Sequence, residues 1–331
     1  MSSTEVSVDI LRPLLLNWYK VHGRKLPWRQ NQDPYLIWLS EVMLQQTTVT
    51  AVIPYFDRFS AKFPTLNDLA LAPLTKVLEL WAGLGYYSRA KNLHKASHRI
   101  SKMKAFPQTY SQLLKLPGFG PYTARAVSSI AFGEAVGVVD GNVIRILSRV
   151  FGKRIKHWIT DGKILLQKLS DEFSFKGNSA NINQALMDLG AQICTRTSPR
   201  CRACPWVAKC LAFKNDLINI LPLKKPKREI EIWQWRAQVV MRNKKIALIK
   251  NSYAPFLKNE WILPGTVKKC KKRPKAFAFK HAITHHAIYG NSQKNSGLGQ
   301  RQGVRWVTRK ELSQIAPFSI LQKALNHLEL K

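Results

Sequence analysis

Residues 116–124 read Leu-Pro-Gly-Phe-Gly-Pro-Tyr-Thr-Ala, a glycine-rich turn between two segments of helical periodicity that decides the fold of this chain. Glycine has no Cβ, so Gly118 and Gly120 would allow another backbone to approach this turn closely. The helix that begins near Pro121 would present its N-terminal N–H groups as a cradle for phosphate. A plain corner between two helices is the alternative, and the turn alone leaves both interpretations open.

The sequence on either side of this turn is helical. From Val8 to about Leu211, apolar residues recur three or four positions apart, and proline or glycine separates the segments. Asp33 suits an N-cap and Pro34 suits a first helical position. We therefore expect residues 1–220 to form one all-α domain.

The remainder of the chain has a different pattern. Residues 221–231 are basic and rich in proline, which predicts a linker. Residues 230–235 then alternate with period two, and apolar runs flank Arg242-Asn243-Lys244-Lys245 as in a β-hairpin. Residues 290–303 are interpreted as a polar loop, and the tail from Glu311 to Leu330 as helical. Residues 232–331 are thus expected to form a small α+β domain, which makes the fold class multidomain, α followed by α+β.

The composition points to a polyanionic partner. The 331 residues include 53 Lys and Arg against 19 Asp and Glu, a formal net charge of +34. Such a chain repels itself unless a polyanion neutralises one face, so nucleic acid is the first partner to consider. The basic run from Lys268 to Lys275 is expected to be a solvated face that attracts phosphate. We find no long apolar span and no basic-then-apolar leader, and therefore expect a soluble, cytoplasmic protein without a membrane partner.

Four of the five cysteines are clustered, with gaps of six, two and five residues: Cys194, Cys201, Cys204 and Cys210. Thiolates suit the soft iron of a cubane cluster, and a structural zinc site is the alternative. Three arginines and a lysine lie between these cysteines, so the loop would also be suited to lie against phosphates. Cys270 stands apart and is expected to be a plain thiol.

The cysteine spacing and the hairpin together resemble the helix-hairpin-helix, iron-sulfur DNA glycosylases, the superfamily of endonuclease III and MutY. Residues 10–215 resemble the MutY family in detail, above all in Leu26-Pro27-Trp28, in residues 83–87 (Gly-Leu-Gly-Tyr-Tyr) and in residues 183–190 (Asn-Gln-Ala-Leu-Met-Asp-Leu-Gly). The resemblance implies a base-excision-repair enzyme that removes adenine opposite 8-oxoguanine or guanine in double-stranded DNA. It further implies a 4Fe-4S cluster on the four cysteines and a monomer that works at a bacterial nucleoid.

Cleavage of an N-glycosidic bond requires a proton for the departing base and negative charge near the sugar cation, which predicts two carboxylates in different environments. Glu41 lies on a mainly apolar helix face, where burial would raise its pKa and keep it protonated. A solvated surface carboxylate is the alternative. Asp140 opens Asp140-Gly141-Asn142 ahead of a helix, so that an N-cap is a compatible second role. The resemblance implies that Glu41 protonates adenine at N7 and activates water, while an ionised Asp140 stabilises the sugar cation.

Position 122 separates two branches of the superfamily. The endonuclease III branch has a lysine there, which attacks the sugar and forms a Schiff base. Tyr122 has no amine and therefore predicts a monofunctional glycosylase. The resemblance implies that Tyr122 and Asn142 support the sugar intermediate. An endonuclease III-like glycosylase and lyase, and a non-catalytic iron-sulfur DNA-binding protein, are the alternatives.

The resemblance also implies contacts to DNA. Tyr86 would wedge into the base stack, because an aromatic face replaces the stacking that a flipped base loses. An aromatic core residue is the alternative for Tyr86. Gln45 and Gln46 would provide polar contacts to bases.

The second domain resembles, more weakly, the Nudix-like module with which MutY enzymes recognise 8-oxoguanine. Residues 265–272 match the metal-binding helix of a Nudix hydrolase but lack its carboxylates, so hydrolase activity is not expected. The family's lesion-sensing loop usually reads Phe-Ser-His; here Ile283, Thr284 and His285 keep the hydroxyl and the imidazole without the aromatic ring. A metal site on His285 and His286 is an alternative, although no carboxylate or cysteine follows at ligand spacing.

Overall fold

The computed structural model describes residues 6–226, 228–295, 297–298, 303–316 and 318–329. The contacts between Cα atoms divide the chain into two compact units, unit 1 with residues 1–225 and unit 2 with residues 226–331. Parts of the sequence expectations lie outside the described residues: residues 1–5 of the first domain, Lys227 of the linker, residues 296 and 299–302 of the polar loop, Pro317 and Leu330 of the helical tail, and Lys331 of the second domain.

Unit 1 is helical, as the spacing of its apolar residues predicts. Its described residues form twelve α-helices: α1 Val8–His22, α2 Pro34–Leu44, α3 Val49–Lys62, α4 Leu66–Leu71, α5 Leu74–Leu80, α6 Tyr87–Ile100, α7 Tyr110–Leu113, α8 Pro121–Phe132, α9 Gly141–Val150, α10 Thr160–Phe173, α11 Ser179–Gln192 and α12 Leu211–Lys214. Short 3₁₀ turns lie at Pro27–Arg29, Cys201–Ala203 and Val207–Lys209. In the described part of the chain, every helix is too short or too polar to cross a membrane.

Two hydrophobic cores divide unit 1 into two lobes. One core is built mainly from α2 to α8 and includes Trp38 and Trp81. The other is built from α1, α9 to α11 and the cysteine loop, and includes Phe173 and Trp206. Burial of each large apolar side chain contributes roughly 1.5–3 kcal/mol. Because each lobe has its own core, polar groups can lie between the lobes without disrupting the packing of either core.

The local signals around the hairpin and α2 are confirmed. Asp33 caps α2 by accepting a hydrogen bond from Tyr35 N at 2.8 Å. Helix α8 begins at Pro121 with Gly120 as its N-cap, and the space that a Gly120 side chain would fill is open. Gly118 has a φ of +81°, and a Cβ there would lie 2.8 Å from Asn92 Cβ, so only glycine fits.

Unit 2 is an α+β unit. Its described residues form seven strands and two helices: β1 Glu231–Arg242, β2 Lys245–Lys250, β3 Trp261–Ile262, β4 Gly265–Cys270, β5 Phe279–Ile283, β6 His286–Asn295, β7 Val304–Val307, α13 Arg309–Ile315 and α14 Ser319–Glu329. The sheet order is β3-β2-β1-β6-β5, with β4 paired to β1 and β7 paired to β2. β1 and β2 form the predicted hairpin, in which Met241 lies opposite Ile246. β1 and β6 are parallel, and Glu231 lies opposite His286.

Two sequence expectations for unit 2 need correction. Residues 290–295 are not loop but the second half of β6, because ladder pairing with β1 and the packing of Phe279 over Gly290 outweigh their polar composition. The helical tail is broken into α13 and α14. Ala316, which precedes a proline in the sequence, has a φ of −137° and ends α13, since a residue before proline avoids the helical region. Residues 265–270, which the sequence comparison aligned with a metal-binding helix, form strand β4.

Candidate active site

Glu41 lies in the middle of α2 and is 5% exposed. Burial raises the pKa of Glu41 to about 7, while a hydrogen bond with Tyr122 and the positive charge of Arg29 limit the rise. Its Oε2 atom has no hydrogen-bond partner. The predicted raised pKa is confirmed, and the alternative of a solvated surface carboxylate is wrong. An unsatisfied buried carboxyl oxygen is a group that a substrate can satisfy.

Tyr122 is the second residue of α8, directly after the glycine-rich turn. Its hydroxyl lies 3.6 Å from Met187 Sδ and also within hydrogen-bond reach of Glu41. Burial, together with the nearby carboxyls of Glu41 and Asp140, holds the pKa of Tyr122 well above its ordinary value. The phenol therefore stays neutral beside Glu41.

Asp140 is the N-cap of α9. Its carboxylate accepts hydrogen bonds from Val143 N at 2.7 Å, from Asn142 N at 2.8 Å and from Asn142 Nδ2 at 2.9 Å. Burial raises the pKa of Asp140, and these donors, with the charge of Arg145, oppose that rise. Burial thus acts on both carboxyls, and the donors around Asp140 are what distinguish it from Glu41.

A cavity of about 490 Å³ brings the four expected catalytic residues together: Glu41, Tyr122, Asp140 and Asn142. Glu41 enters from α2, Tyr122 from α8, and the other two from the start of α9. The two carboxyls therefore reach one shared space from the two lobes. This arrangement can hold a ligand between a protonated acid and a hydrogen-bonded carboxylate.

Sequence reasoning missed the arginine that positions Asn142. Arg145 Nη2 donates to Asn142 Oδ1 at 2.8 Å and to Gly190 O at 2.9 Å, and its Nε donates to Cys194 O at 2.6 Å. A Cβ on Gly190 would lie 2.5 Å from Asn142 Cβ, so α11 can approach Asn142 only with glycine at this position. Arg145 links the active site to the cysteine loop, and a basic residue three positions after Asn142 is the only sequence signal.

A buried ion-pair network behind Glu41 was also missed. Asp188 is fully buried and accepts hydrogen bonds from Arg24 Nε at 2.7 Å and from Arg29 Nη1 at 2.8 Å. Burial alone would raise the pKa of Asp188, but its bonds to Arg29 and Arg24 hold that pKa below its ordinary value. Arg29 in turn faces Glu41, so this network sets the charge around the acid.

A second cavity, of about 250 Å³, collects four residues that the sequence predicts as DNA contacts: Gln45, Gln46, Tyr86 and Gly118. Tyr86 is 56% exposed, so the alternative of a core aromatic is wrong. Its φ of +49° lies in the left-handed region, which is strained for a bulky side chain. The fold therefore holds an aromatic ring out into solvent beside the hairpin.

Arg89 supports this second cavity and was not predicted. It is 8% exposed, and its Nη1 donates to Val42 O at 2.8 Å and to Met43 O at 2.9 Å. Gln45 O accepts a further bond from the same atom. These carbonyls end α2 without helical partners, so Arg89 satisfies groups that a C-cap would otherwise serve. Arg89 thereby fixes the segment that carries Gln45.

The four clustered cysteines lie close together on the loop after α11. Arg149 Nη1 donates to Cys194 Sγ at 3.4 Å. Backbone N–H groups donate to Cys201, Cys204 and Cys210. Burial raises the pKa of Cys204 to about 12, and the neighbouring cysteines add to the rise. Such a set of half-buried thiols with N–H donors aimed at sulfur fits a bound cation that ionises them.

Thr284 and His285 lie in unit 2, where they form the two-residue turn between β5 and β6. Thr284 has a φ of +53°, and its hydroxyl lies 3.4 Å from His285 Nδ1. Both side chains are at least partly exposed. They are not part of either cavity of unit 1 described above.

Comparison with known proteins places this geometry in a family. Residues 39–173 match the model of the HhH-GPD superfamily base excision DNA repair proteins. The adenine DNA glycosylase of Buchnera aphidicola subsp. Schizaphis graminum is 36% identical over 304 residues, which cover 86% of this chain and 87% of the relative. The human adenine DNA glycosylase is 43% identical over 218 residues, which cover 62% of this chain and 40% of the relative.

Solved structures agree with the helical fold. A thermostable thymine-DNA glycosylase is 27% identical with a TM-score of 0.58, and the match covers 63% of this chain and 97% of that chain. The length of the match corresponds to unit 1, while the Buchnera relative extends the likeness over most of the chain. With its helical glycosylase fold and these relatives, the chain belongs to the adenine DNA glycosylases, the base-excision-repair hydrolases that cleave the N-glycosidic bond of adenine.

Proposed function

We propose that this enzyme excises adenine paired with 8-oxoguanine or guanine in double-stranded DNA, acting as a monomer on a nucleotide flipped into the Glu41 cavity. One observation carries the proposal: a buried acid with a pKa of about 7 shares a cavity with the hydrogen-bonded carboxyl of Asp140. The volume of about 490 Å³ lies within the range of small-ligand sites. Flipping is needed because the glycosidic bond is inaccessible within the base stack.

The proposed reaction uses the two carboxyls in different protonation states. At neutral pH a large fraction of Glu41 is protonated, and it donates its proton to N7 of adenine as the bond between N9 and the sugar breaks. Asp140, with its N–H donors, carries the negative charge that stabilises the sugar cation. Glu41 is then a carboxylate and accepts a proton from the water that attacks the cation, giving free adenine and an abasic site.

Tyr122 makes the proposed enzyme monofunctional. A Schiff base with the sugar requires an amine, and the phenol of Tyr122 has none. Its place beside Glu41 and Met187 instead closes one wall of the cavity. We propose that Tyr122 and Asn142 hold the carboxyls in place while the cation exists.

DNA contact is proposed at the hairpin and at the second cavity. The open N-cap of α8 at Gly120 exposes N–H groups to a phosphate. The exposed Tyr86 ring is suited to fill the gap that the flipped nucleotide leaves, with Gln45 and Gln46 beside it.

We propose that a 4Fe-4S cluster is held by the four clustered cysteines, Cys194, Cys201, Cys204 and Cys210. A single tetrahedral zinc ion would bring all their sulfur atoms within about 3.8 Å of one another, given Zn–S lengths of about 2.3 Å. Among the residues described, no three of these cysteines have sulfur atoms that all lie within 4.8 Å of one another. The donor atoms of Glu231, His285 and His286 in unit 2 do lie that close together. The wider spread supports a polynuclear cluster, whose iron would stabilise the loop as Lewis-acid centres for thiolates.

In unit 2 we propose a Nudix-like module that reads the base opposite adenine. The α+β sheet and the exposed turn of Thr284 and His285 support this role, because a hydroxyl and an imidazole can both hydrogen-bond a base edge. Strand β4 stands where a hydrolase would need an acidic helix, and its lysines supply no metal ligands. Residues 232–331 would therefore recognise the base opposite adenine and would have no Nudix hydrolase activity.

A strand-cleavage assay tests the proposal. Duplexes with adenine opposite 8-oxoguanine, guanine or thymine, and a fourth duplex that contains thymine glycol, are incubated with the protein, and abasic sites are then cleaved with alkali. We expect product from the first two duplexes only. Product from a thymine glycol duplex without any from adenine would contradict the proposal and favour an endonuclease III-like enzyme.

Borohydride trapping tests the monofunctional assignment separately. The unaltered protein should give little covalent DNA adduct, whereas Tyr122→Lys should give more, because it introduces an amine beside the sugar. Efficient trapping by the unaltered protein would refute the role given to Tyr122.

A further inference from the structure

Glu231, His285 and His286 form a cluster of metal-binding side chains in unit 2. One ligand atom from each lies within 4.8 Å of the other two. His285 and His286 are adjacent in the sequence, with ring centroids 4.0 Å apart. In the sequence, no carboxylate follows His285 and His286 at ligand spacing. The structure supplies one from Glu231, which precedes both histidines and lies at the start of β1.

The main chain holds this cluster together. Glu231 lies opposite His286 in the parallel ladder of β1 and β6. Glu231 N also donates to His285 O at 2.9 Å. Paired residues of neighbouring strands present their side chains to the same face of a sheet. Backbone pairing therefore places Glu231 beside His286, and His285 is brought near by its place in the chain and by its bond to Glu231 N.

His286 provides an independent indication of a ligand. It is 8% exposed, and its buried Nδ1 has no hydrogen-bond partner. That atom lies 3.6 Å from Glu231 Oε2, too far for a good hydrogen bond. Tetrahedral ligands about 2.0–2.1 Å from a zinc ion are about 3.3 Å apart, close to this separation. A buried ring nitrogen without a partner is unfavourable, and a metal ion at this place would satisfy it.

Glu231 is already oriented by its neighbours. Trp233 Nε1 donates to its Oε2 at 3.1 Å, and Lys269 Nζ donates to its Oε1 at 2.6 Å. Carboxylates that bind metal are commonly held by such outer hydrogen bonds. The Lys269 ammonium also opposes a dication, so zinc must weaken this ion pair in order to bind.

We propose that Glu231, His285 and His286 bind one Zn²⁺ ion, which clips the start of β1 to the turn between β5 and β6. Two imidazoles and one carboxylate are a donor set that zinc accepts, with a fourth position left for water. The ion would restrict the His285 ring. Zinc binding is measured without DNA, so its test does not depend on the proposed reading of the base by that residue.

Equilibrium dialysis of the full-length protein against Zn²⁺ tests the proposal, with zinc and iron per chain measured by mass spectrometry. The unaltered protein should bind one more zinc ion than Glu231→Gln or His285→Asn. In each variant the affinity for this ion should fall at least about 100-fold, because even the loss of a residue that only hydrogen-bonds to a metal ligand lowers affinity by up to about 100-fold. His281→Asn is the matched control, because His281 lies on β5 outside the cluster. Any zinc held by the cysteines is common to all four proteins and cancels.

Two further measurements sharpen the result. Lys269→Met should bind zinc more tightly than the unaltered protein, because it removes the competing ammonium. In ¹⁵N-histidine spectra, zinc should shift ring nitrogens of His285 and His286 but not those of His281. Equal zinc content in the unaltered protein, Glu231→Gln and His285→Asn would overturn the proposal, whatever the base-excision assays show.

Discussion

The two units of this enzyme differ in whether they bury charged side chains. Unit 1 buries charged side chains, among them Glu41, Arg89, Arg149 and Asp188. In unit 2, none of the described Lys, Arg, Asp or Glu side chains is buried, and the lysines from Lys268 to Lys275 are exposed. The expectation of a solvated basic run in unit 2 is thereby confirmed.

This difference fits the roles proposed for the two units. A charge removed from water must be paired or must change its pKa, and proton transfer at neutral pH needs such a shifted pKa. A surface that meets phosphates needs exposed cations, whose contribution falls with salt. The buried arginines of unit 1, Arg89 and Arg149, thus donate to carbonyls of the protein itself.

The largest effect should come from Glu41→Gln, which removes the buried proton donor. We expect single-turnover release of adenine to fall about 10²–10⁴-fold, the usual contribution of a general acid, with duplex binding retained. The matched control is Glu79→Gln, an exposed glutamate of α5 in the same lobe, which should retain full activity. Normal turnover by Glu41→Gln would remove this residue from the acid role.

The same variant should be more stable at alkaline pH. The pKa of Glu41 is about 7 in the folded protein and ordinarily 4.5, so the folded state holds the proton more tightly. The stability of the unaltered protein therefore declines as pH rises from 4.5 through 7. At pH 8, Glu41→Gln should gain on the order of 1–3 kcal/mol in urea unfolding. A loss of stability at pH 8 would mean that the carboxylate is not strained by burial.

Asp188→Asn should change the stability more than Glu41→Gln does, and in the opposite direction. It leaves two guanidiniums without their buried counter-charge, and breaking such a pair costs about 3–5 kcal/mol. Asp57→Asn, at an exposed position of α3, is the control and should change little. Arg29, no longer held by Asp188, should turn toward Glu41 and move the pH profile of base release to lower pH. An unchanged pH profile of base release would show that the Asp188 network does not influence the pKa of Glu41.

These residues show what the sequence can and cannot predict. Helix α8, the Asp33 cap, the Asp140 cap and the burial of Glu41 depend on neighbours within a few positions, and local patterns predicted them. Asp188 meets Arg29 only through the packing of α11 against the N-terminal segment, and Glu231 meets His286 only through a parallel ladder. Neither pairing leaves a spacing signal. The polar second half of β6 was mistaken for loop for the same reason, because its partner strand is remote.

The pH dependence of base release is the next test of the contrast between the units. Because the protonated form of Glu41 is the proposed donor, release should be fastest below its pKa of about 7 and fall about tenfold per pH unit above it. Single-turnover rates between pH 5.5 and about 9 measure this limb. Duplex affinity measured over the same range should change less, because the proposed proton donation by Glu41 belongs to the cleavage step and not to binding. A rate that rises through neutral pH would assign Glu41 to the base role from the start.

The smallest effect, and the one that reaches unit 2, concerns the strained turn at Thr284. A β-branched residue with a φ of +53° is disfavoured, and glycine is the residue that this conformation suits. In zinc-free buffer, Thr284→Gly should therefore raise the free energy of unfolding by about 1 kcal/mol. Asn243→Gly, at φ +48° in the β1–β2 turn, is the matched control and should gain less, because asparagine tolerates this region. If the Thr284 hydroxyl contacts the base opposite adenine, the same variant loses preference for 8-oxoguanine over guanine while Asn243→Gly keeps it. A stabilised Thr284→Gly variant with unchanged preference would show that the Thr284 hydroxyl does not contribute to the discrimination and that the strained conformation serves the turn alone.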